Sequence, residues 1–151
     1  MIFRRANKSD VSKIVEMIAD DELGKTREHF QNPLPKEYID AFEKINVDKN
    51  QELIVVENEN TEIIGTLQLT FIQYLTYKGG VRVQIEAVRI RKDQRGIGLG
   101  TKMFEWAIER TKERKAPLLQ LTTDKKRLQA IQFYEDLGFK ATHEGMKMHF
   151  D

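Results

Sequence analysis

A glycine-rich segment constrains the fold of this chain more than any other feature. Gln94 is followed by Arg-Gly-Ile-Gly-Leu-Gly, which ends at Gly100. A β-rich run at residues 81–90 precedes this segment, and an amphipathic helical pattern follows it to about Lys115. We therefore predict a strand, a tight glycine loop and a long helix in direct succession.

The predicted loop has the chemistry of an anion site. A helix amino terminus presents unpaired N–H groups and the positive end of a dipole. Glycines let the backbone approach a phosphate closely, and Arg95 adds a charge that can donate two hydrogen bonds to phosphate oxygens. The spacing G-x-G-x-G differs from the dinucleotide fingerprint G-x-G-x-x-G and from the triphosphate loop G-x-x-x-x-G-K-[ST]. A glycine-rich tight turn without a ligand would also produce this spacing.

The other periodic segments predict a mixed α/β sheet. Helices are predicted after Ser9-Asp10, after Pro35 and across residues 127–137. Further strands are predicted at residues 1–5, 53–56, 63–72, 118–122, 139–142 and 146–150. The last two form a predicted hairpin, as do 53–56 and 63–72. Hairpins followed by a strand–helix–strand–helix order indicate a sheet that is not all parallel.

The composition is that of an ordinary globular domain. The 151 residues are 40% hydrophobic and 32% charged, so we predict a single domain over residues 1–151. The lack of cysteine excludes disulfides, thiol nucleophiles and thiolate metal ligands. The three histidines lack metal-ligand spacing, so we expect no metal. With no long apolar run and no signal-like start, we expect a cytoplasmic protein without a membrane partner.

Charge is distributed unevenly along the chain. The formal net charge is +1, but residues 1–75 carry a net −5 and residues 76–151 a net +6. A basic half fits a polyanion, a small phosphorylated ligand or simply solvated helix faces, and charge alone does not decide among them. Because no helix-turn-helix or stacking-aromatic signature is present, we expect no nucleic-acid partner.

Two motifs and the order of the elements resemble the GNAT superfamily of N-acetyltransferases. Arg95-x-x-Gly98-x-Gly100 resembles the family's pyrophosphate loop, [QR]-x-x-G-x-[GA]. Residues 127–139 resemble its N-x-x-A-x-x-[FL]-Y-x-x-x-G-F helix, with Arg127 in place of the usual Asn. Arg127 either reaches coenzyme phosphates or is an exposed basic helix start. The resemblance implies a single-domain α/β fold whose mixed, mostly antiparallel central sheet is flanked by about four helices.

The same resemblance implies an N-acetyltransferase that uses acetyl-CoA as co-substrate. The acetyl group would pass to a primary amine of a small molecule or peptide by direct attack, without an acyl-enzyme. Residues 88–90, in the strand before the loop, would contact the pantetheine arm through their backbone. The coenzyme contacts that follow from the two motifs and this strand are Val88, Arg89, Ile90, Arg95, Gly96, Ile97, Gly98, Leu99, Gly100, Arg127, Ala130 and Phe133.

Two side chains are the candidate catalytic groups. Tyr134 matches the family tyrosine that protonates the departing thiolate, and a phenol of pKa about 10 can donate to a thiolate of pKa about 8.5. The alternative role for Tyr134 is that of a helix residue whose ring packs in the core. Glu86 is the candidate general base, because an unpaired carboxylate between Ile85 and Ala87 would be costly if buried. Its alternative is a strand glutamate paired with a neighbouring arginine.

The acceptor and the assembly are less constrained by the sequence. We expect residues 20–27 and 74–82 to border the acceptor. Asp20, Asp21 and Glu22 would hold a cationic amine, whereas Arg27 or Arg82 would hold an acidic group. Residues 120–139 also resemble aminoalkylphosphonate N-acetyltransferases, which favours a small anionic amine. Many members of the superfamily form homodimers. The alternative function is a non-catalytic acetyl-CoA-binding sensor or scaffold module.

Overall fold

A five-stranded sheet forms the centre of the molecule. The computed structural model describes residues 1–150. The strands lie side by side in chain order, and only the last pair is parallel. They are β1 Ile2–Arg5, β2 Gln51–Glu57, β3 Ile63–Gln73, β4 Val81–Ile90 and β5 Leu118–Gln120. This arrangement confirms the predicted mixed, mostly antiparallel sheet.

Six α-helical segments connect or flank the strands. They are α1 Val11–Ala19, α2 Gly24–Arg27, α3 Lys36–Val47, α4 Thr76–Gly79, α5 Leu99–Glu113 and α6 Leu128–Asp136. Four of them have nine residues or more, which agrees with the predicted number of helices. The segment α4 is a tight turn in which Tyr77 and Lys78 have left-handed φ angles of 54° and 58°. No helix within residues 1–150 has the length and apolar character needed to cross a membrane.

Strand β2 has apolar side chains on both of its faces, which explains why helices pack on both faces of the sheet. Side chains of a strand point alternately to its two faces. Ile54 and Val56 belong to a buried cluster shared with α5, whereas Val55 belongs to a cluster shared with α1 and α3. Val55 and Val56 are both fully buried. A continuous apolar run therefore supplies both halves of the core.

A buried carboxylate joins α5 to the sheet. Glu52 of β2 is only 5% exposed. It accepts hydrogen bonds from Arg110 of α5, with Nε 2.8 Å from Oε1, and lies 3.4 Å from Arg114. Burial alone would raise the pKa of Glu52, but hydrogen bonds and charge from Arg110 outweigh it and leave the pKa below its usual value.

The end of the chain departs from the prediction. The hairpin predicted at residues 139–142 and 146–150 is wrong, because no strand is present after β5 in residues 1–150. A strand forms only when a neighbour satisfies its backbone groups, and here residues 140–150 are exposed without a strand beside them. The strand β5 is also two residues shorter than predicted.

Candidate active site

The last two strands separate next to the glycine loop. Within residues 1–150, β5 pairs with β4 only at Arg82, Val83 and Gln84. The edge of β4 that faces β5 is therefore unpaired from residue 85 to residue 90. Unpaired backbone N–H and C=O groups are available to hydrogen-bond a ligand that enters the gap.

A bulge in β4 changes the direction of its backbone at this gap. The register between β3 and β4 shifts between Thr66 and Gln68, opposite Ala87 and Val88. Ala87 has a φ of +52°, a conformation that is strained for a residue with a Cβ. Backbone strain of this kind is often found at functional sites. The bulge lies at the start of residues 88–90, which were predicted to contact the coenzyme.

The glycine loop leads directly into α5. Gly96 and Gly98 have φ angles of +77° and +89°, in the region that favours glycine. A Cβ placed on either residue would meet no atom within 4 Å, so the space in front of the loop is open. Leu99 begins a fifteen-residue helix that has no side-chain cap and no acidic residue in its first turn. Its first amides are therefore free to bind an anion.

Arg95 fixes the loop to the end of β4. Its Nε donates to the carbonyl oxygen of Ile90 at 3.0 Å, and its Nη2 lies 3.8 Å from Asp20. The side chain remains 45% exposed. It can therefore turn its remaining N–H groups towards a ligand.

A small cleft joins the end of β4 to the helices around it. Its volume is about 320 Å³. The lining residues are Asp21, Val88, Arg89, Ile90, Arg95 and Arg127. Three arginines against one aspartate make this cleft positive, as a site for phosphates requires. A larger cavity of about 700 Å³ adjoins it, shares Ile90 and Arg95, and extends towards α1.

Arg89 is the most unusual charged group in the cleft. Its Nη2 lies 2.7 Å from Asp21, and its Nη1 donates to the carbonyl of Val88 at 2.9 Å. Its Nε is buried and has no hydrogen-bond partner within residues 1–150. Burial lowers the pKa of Arg89, and only part of this effect is offset by Asp21. The resemblance pointed to Arg89 only as a backbone contact, and no motif indicated that its side chain binds Asp21.

Tyr134 lies on α6 in an aromatic cluster beside this cleft. Its ring centroid is 5.5 Å from that of Phe104 and 6.2 Å from that of Phe139. The ring is partly buried, and Tyr134 lies near Arg89. Both predicted roles, a core ring and a group that reaches the site, therefore agree with its position.

Residues of the two motifs meet where α5 begins. A Cβ on Gly100 would lie 3.4 Å from Ile90 and 3.6 Å from Phe133, so β4, α5 and α6 approach closely at that point. Arg127 is exposed at the start of α6 and lines the cleft. Ala130 is partly buried on the same helix. The side chain of Ile97 lies at the tip of the loop and is 70% exposed to solvent.

The surroundings of Glu86 differ from the prediction. Its side chain was expected between buried neighbours, but it is exposed, because β4 turns this face away from the core just before the bulge. Within residues 1–150 it has no ion pair, so the predicted alternative of an arginine partner is wrong as well. The role of Glu86 as a general base stays a prediction.

Only one of the two predicted acceptor segments reaches the cleft. Residues 20–27 do so through Asp20 and Asp21. Residues 74–82 lie at the opposite end of β4. The rise per residue of a strand puts them about 20 Å from the cleft. There the guanidinium of Arg82 lies 4.2 Å from the ring centre of Tyr74 and 5.2 Å from that of Tyr77.

Residues 1–150 contain no group of three His, Cys, Asp or Glu able to hold a metal.

The fold is a mixed five-stranded sheet whose last two strands separate beside a glycine loop. The model of the Acetyltransferase (GNAT) family matches residues 16–139. This match covers most of the chain, and the chain belongs to that family. The resemblance seen in the sequence is therefore confirmed.

Three known proteins illustrate the range of relatives. The chain is 29% identical over 84 residues to aminoalkylphosphonate N-acetyltransferase from Salmonella typhimurium, a match that spans 56% of this chain and only 54% of that protein. A crystal structure of a transcriptional regulator from Bacillus halodurans is 54% identical, with a TM-score of 0.94 over 99% of both chains. A predicted acetyltransferase from Clostridium acetobutylicum, solved with acetyl-CoA, is 23% identical, with a TM-score of 0.75 over 98% of this chain and 95% of that one. The last similarity concerns the fold alone.

Proposed function

We propose that this protein is an N-acetyltransferase that moves the acetyl group of acetyl-CoA to a primary amine of a small molecule or peptide. One observation carries the proposal. The unpaired edge of β4 runs directly into a glycine loop and the uncapped start of α5. This combination offers hydrogen bonds to an extended, amide-containing arm and, at its end, free amides for a pyrophosphate. Membership of the acetyltransferase family supports it.

The coenzyme would be held by two kinds of group. The amides of residues 96–100 and the side chain of Arg95 would bind the pyrophosphate. Backbone groups of residues 88–90 would bind the pantetheine arm along the open edge of β4. Arg127 is positioned to add a charge to the phosphates, because it lines the same cleft as Arg95. Gly100, Ala130 and Phe133 would form the apolar floor beneath them.

The proposed reaction is a direct attack. The nitrogen of a neutral amine attacks the thioester carbon, and a backbone N–H of residues 88–90 stabilises the negative oxygen that forms. The C–S bond then breaks, and the phenol of Tyr134 gives its proton to the thiolate. Glu86 is exposed on β4 and would take the amine's proton through a water molecule. Solvent then returns a proton to the phenolate of Tyr134, and Glu86 releases to solvent the proton that it took from the amine.

Acceptors with an anionic group are the first to test. The aspartate of the cleft, Asp21, is already bound to Arg89, so it is not free to hold a cationic amine. Arg27, which the coenzyme contacts do not use, lies near Arg89 and would hold a phosphonate or carboxylate on the acceptor. The name of the Salmonella relative points to the same class, although the match spans about half of that protein.

A second candidate function is a non-catalytic acetyl-CoA-binding module that senses the coenzyme. The observation that favours it is the 54% identity with a protein named as a transcriptional regulator. A sensor needs the coenzyme site but no acid or base. The exposed, unpaired state of Glu86 is compatible with either function.

Release of the coenzyme thiol separates the two candidates. The purified protein is mixed with acetyl-CoA and a panel of amines: aminoalkylphosphonates, amino acids, neutral amines and a short peptide. An enzyme releases thiol above the rate without amine for at least one class, and mass spectrometry finds the acetylated amine. Binding of acetyl-CoA with no release for any amine would support the sensor and contradict the proposed reaction.

A further inference from the structure

A line of polar side chains crosses the sheet on one face. It consists of neighbouring residues that pair in register, Gln51 of β2, Thr70 of β3, Gln84 of β4 and Gln120 of β5. We call these four residues the glutamine row. On β4, Val83 and Ile85 pack in the cluster of α5, and side chains alternate between the two faces of a strand. Gln84 and its cross-strand partners therefore point to the opposite face, which carries α1 and α3.

The apolar core on that face ends before it reaches the row. Its strand members are Leu53, Val55 and Ile63, which belong to β2 and to the first residue of β3. The row is nevertheless not an ordinary solvated strand surface, because Gln84 is only 8% exposed and the other three residues are half-buried. None of the four side chains carries a charge. Such a row is suited to a polar ligand, because buried polar groups need hydrogen-bond partners.

Hydrogen bonds within the row use only part of its polar groups. Thr70 Oγ1 donates to Gln51 Oε1 at 3.0 Å. Gln120 Nε2 donates to Gln84 Oε1 at 2.8 Å. The second bond uses one polar atom of each carboxamide and leaves Nε2 of Gln84 and Oε1 of Gln120 available to a ligand. A donor and an acceptor side by side match a hydroxyl group, which accepts one hydrogen bond and donates another.

The pair of Gln84 and Gln120 lies at the closed end of the gap between β4 and β5. It is the last pair in register before the two strands separate. Glu86 is the next residue of β4 on the same face, about 7 Å further along the strand at two residue rises. It pairs in register with Gln68 of β3, and its side chain is exposed. A molecule whose amine reaches Glu86 through water therefore lies beside the two carboxamides.

We propose that the pair of Gln84 and Gln120 selects an acceptor that carries a hydroxyl group close to its amine. The selection rests on the proposed acetyl transfer, in which Glu86 and the open edge of β4 place the amine. The hydroxyl donates to Oε1 of Gln120 and accepts from Nε2 of Gln84 while the amine approaches the thioester. A charged group in the place of the hydroxyl would be poorly paired, because no residue of the row carries a charge.

Paired acceptors that differ only by a hydroxyl test this selection. The pairs are isoserine with β-alanine, ethanolamine with ethylamine, and aminoethylphosphonate with and without a hydroxyl on the carbon that bears phosphorus. For each pair, the ratio of kcat/KM of the hydroxylated amine to that of the plain amine is measured by thiol release. We expect Gln84→Leu/Gln120→Leu to lower this ratio by at least about tenfold, because a site that hydrogen-bonds a hydroxyl rejects the analogue without it.

The comparison between protein variants removes the effect of amine basicity, which is the same in every assay of one amine. Gln132→Leu, on the exposed face of α6, is the control and should keep the ratio of the unchanged protein. Circular dichroism checks that each variant is folded. A folded double variant that keeps the ratio of the unchanged protein would overturn the proposal.

A binding measurement on the unchanged protein separates the selection from the acetyl transfer itself. Protein labelled with ¹⁵N and mixed with coenzyme A, which has no acetyl group to donate, is titrated with isoserine and with β-alanine. We expect the side-chain amide resonances of Gln84 and Gln120 to shift with isoserine and to stay in place with β-alanine. These shifts without thiol release for any amine would contradict the acetyl transfer alone. Thiol release without these shifts would overturn the selection, and the absence of both would overturn both.

Discussion

Tyr134 and Arg95 belong to different elements, one on α6 and one in the glycine loop. Arg95 is bound to the carbonyl of Ile90, at the end of the strand. Tyr134 lies in the aromatic cluster of Phe104 and Phe139. Their proposed roles differ in kind, since Arg95 binds the coenzyme whereas Tyr134 gives a proton. Substitutions of the two residues should therefore affect different constants.

Tyr134→Phe should lower kcat by about 100-fold and leave the Kd for acetyl-CoA unchanged, because general acid catalysis contributes roughly that factor. The ring that contacts Phe104 is kept, so the fold should not change. Steady-state thiol release and calorimetry measure the two constants. Tyr77→Phe, at the far end of β4, serves as the control and should behave as the unchanged protein. An unaltered kcat in Tyr134→Phe would remove the phenol from the mechanism.

Arg95→Ala should raise the Kd for acetyl-CoA by about tenfold, because the lost pair of charge-assisted hydrogen bonds contributes ~1.4 kcal/mol to binding and this energy corresponds to a factor of ten. Titration calorimetry measures it. Arg5→Ala removes an exposed arginine on β1 and controls for the loss of overall charge. If both variants weaken binding equally, the effect is a long-range charge effect and Arg95 has no contact with the coenzyme.

For single residues, the sequence predicted which side chains gather at the site better than it predicted the surroundings of each one. Arg95 and Gly98 stand out because only a few residue types suit an anion-binding turn. The exposure of Glu86 was missed, because it depends on a bulge whose position no local pattern in β4 reveals. The ion pair of Arg89 with Asp21 was missed because it joins residues 68 positions apart in the sequence.

Among the elements, the glycine loop and the start of α5 decide whether an anion can bind. The positive φ of Gly98 places the first amides of the helix in open space. The obstacle to a larger residue there is conformational, since nothing lies within 4 Å of an added Cβ. A substitution should therefore change the loop and leave the core intact.

Gly98→Ala should cost about 1 kcal/mol of stability and weaken acetyl-CoA binding, because alanine at a φ of +89° is strained and will shift the loop. Thermal unfolding and calorimetry measure the two effects. Gly145→Ala is the matched control, because a Cβ there also meets no atom and its φ is not positive. Equal behaviour of the two variants would mean that the conformation of the loop is not needed for binding.

The elements themselves were largely predictable from periodicity. Strand β2 and helix α1 follow from their apolar patterns, and Gly138 marks the end of α6. Residues 146–150 have an equally clear strand pattern but form no strand within residues 1–150. Periodicity predicts that a segment suits a strand, whereas strand formation also requires a neighbour.

For the whole molecule, stability at neutral pH depends partly on buried ion pairs. Glu52 is bound by Arg110, and Asp10 is bound by Arg4 at 2.7 Å. Although burial opposes the effect, hydrogen bonds from the arginines hold the pKa of both carboxyls below their usual values. A lowered pKa in the folded state stabilises the fold above the ordinary carboxyl pKa of about 4. This contribution is lost as the pH falls through the lowered folded-state value.

Glu52→Gln should lower the free energy of unfolding by roughly 1–3 kcal/mol at pH 7, the range for a hydrogen bond to a charged group. Its urea midpoint should also fall less steeply than that of the unchanged protein as the pH drops below about 4. Glu109→Gln breaks a fully surface pair with Lys112 on the same helix and should change stability by less than about 0.5 kcal/mol. Parallel pH profiles for Glu52→Gln and the unchanged protein would contradict the role of this carboxylate.

In the proposed function, main-chain amides at the start of α5 bind the coenzyme's pyrophosphate. Titration of ¹⁵N-labelled protein with acetyl-CoA, followed by the amide resonances of Gly96, Gly98 and Gly100, tests it directly. We predict that these three amides shift together and saturate with one binding constant, and that free pyrophosphate shifts the same set more weakly. Saturable binding of acetyl-CoA that leaves these resonances in place would contradict the account.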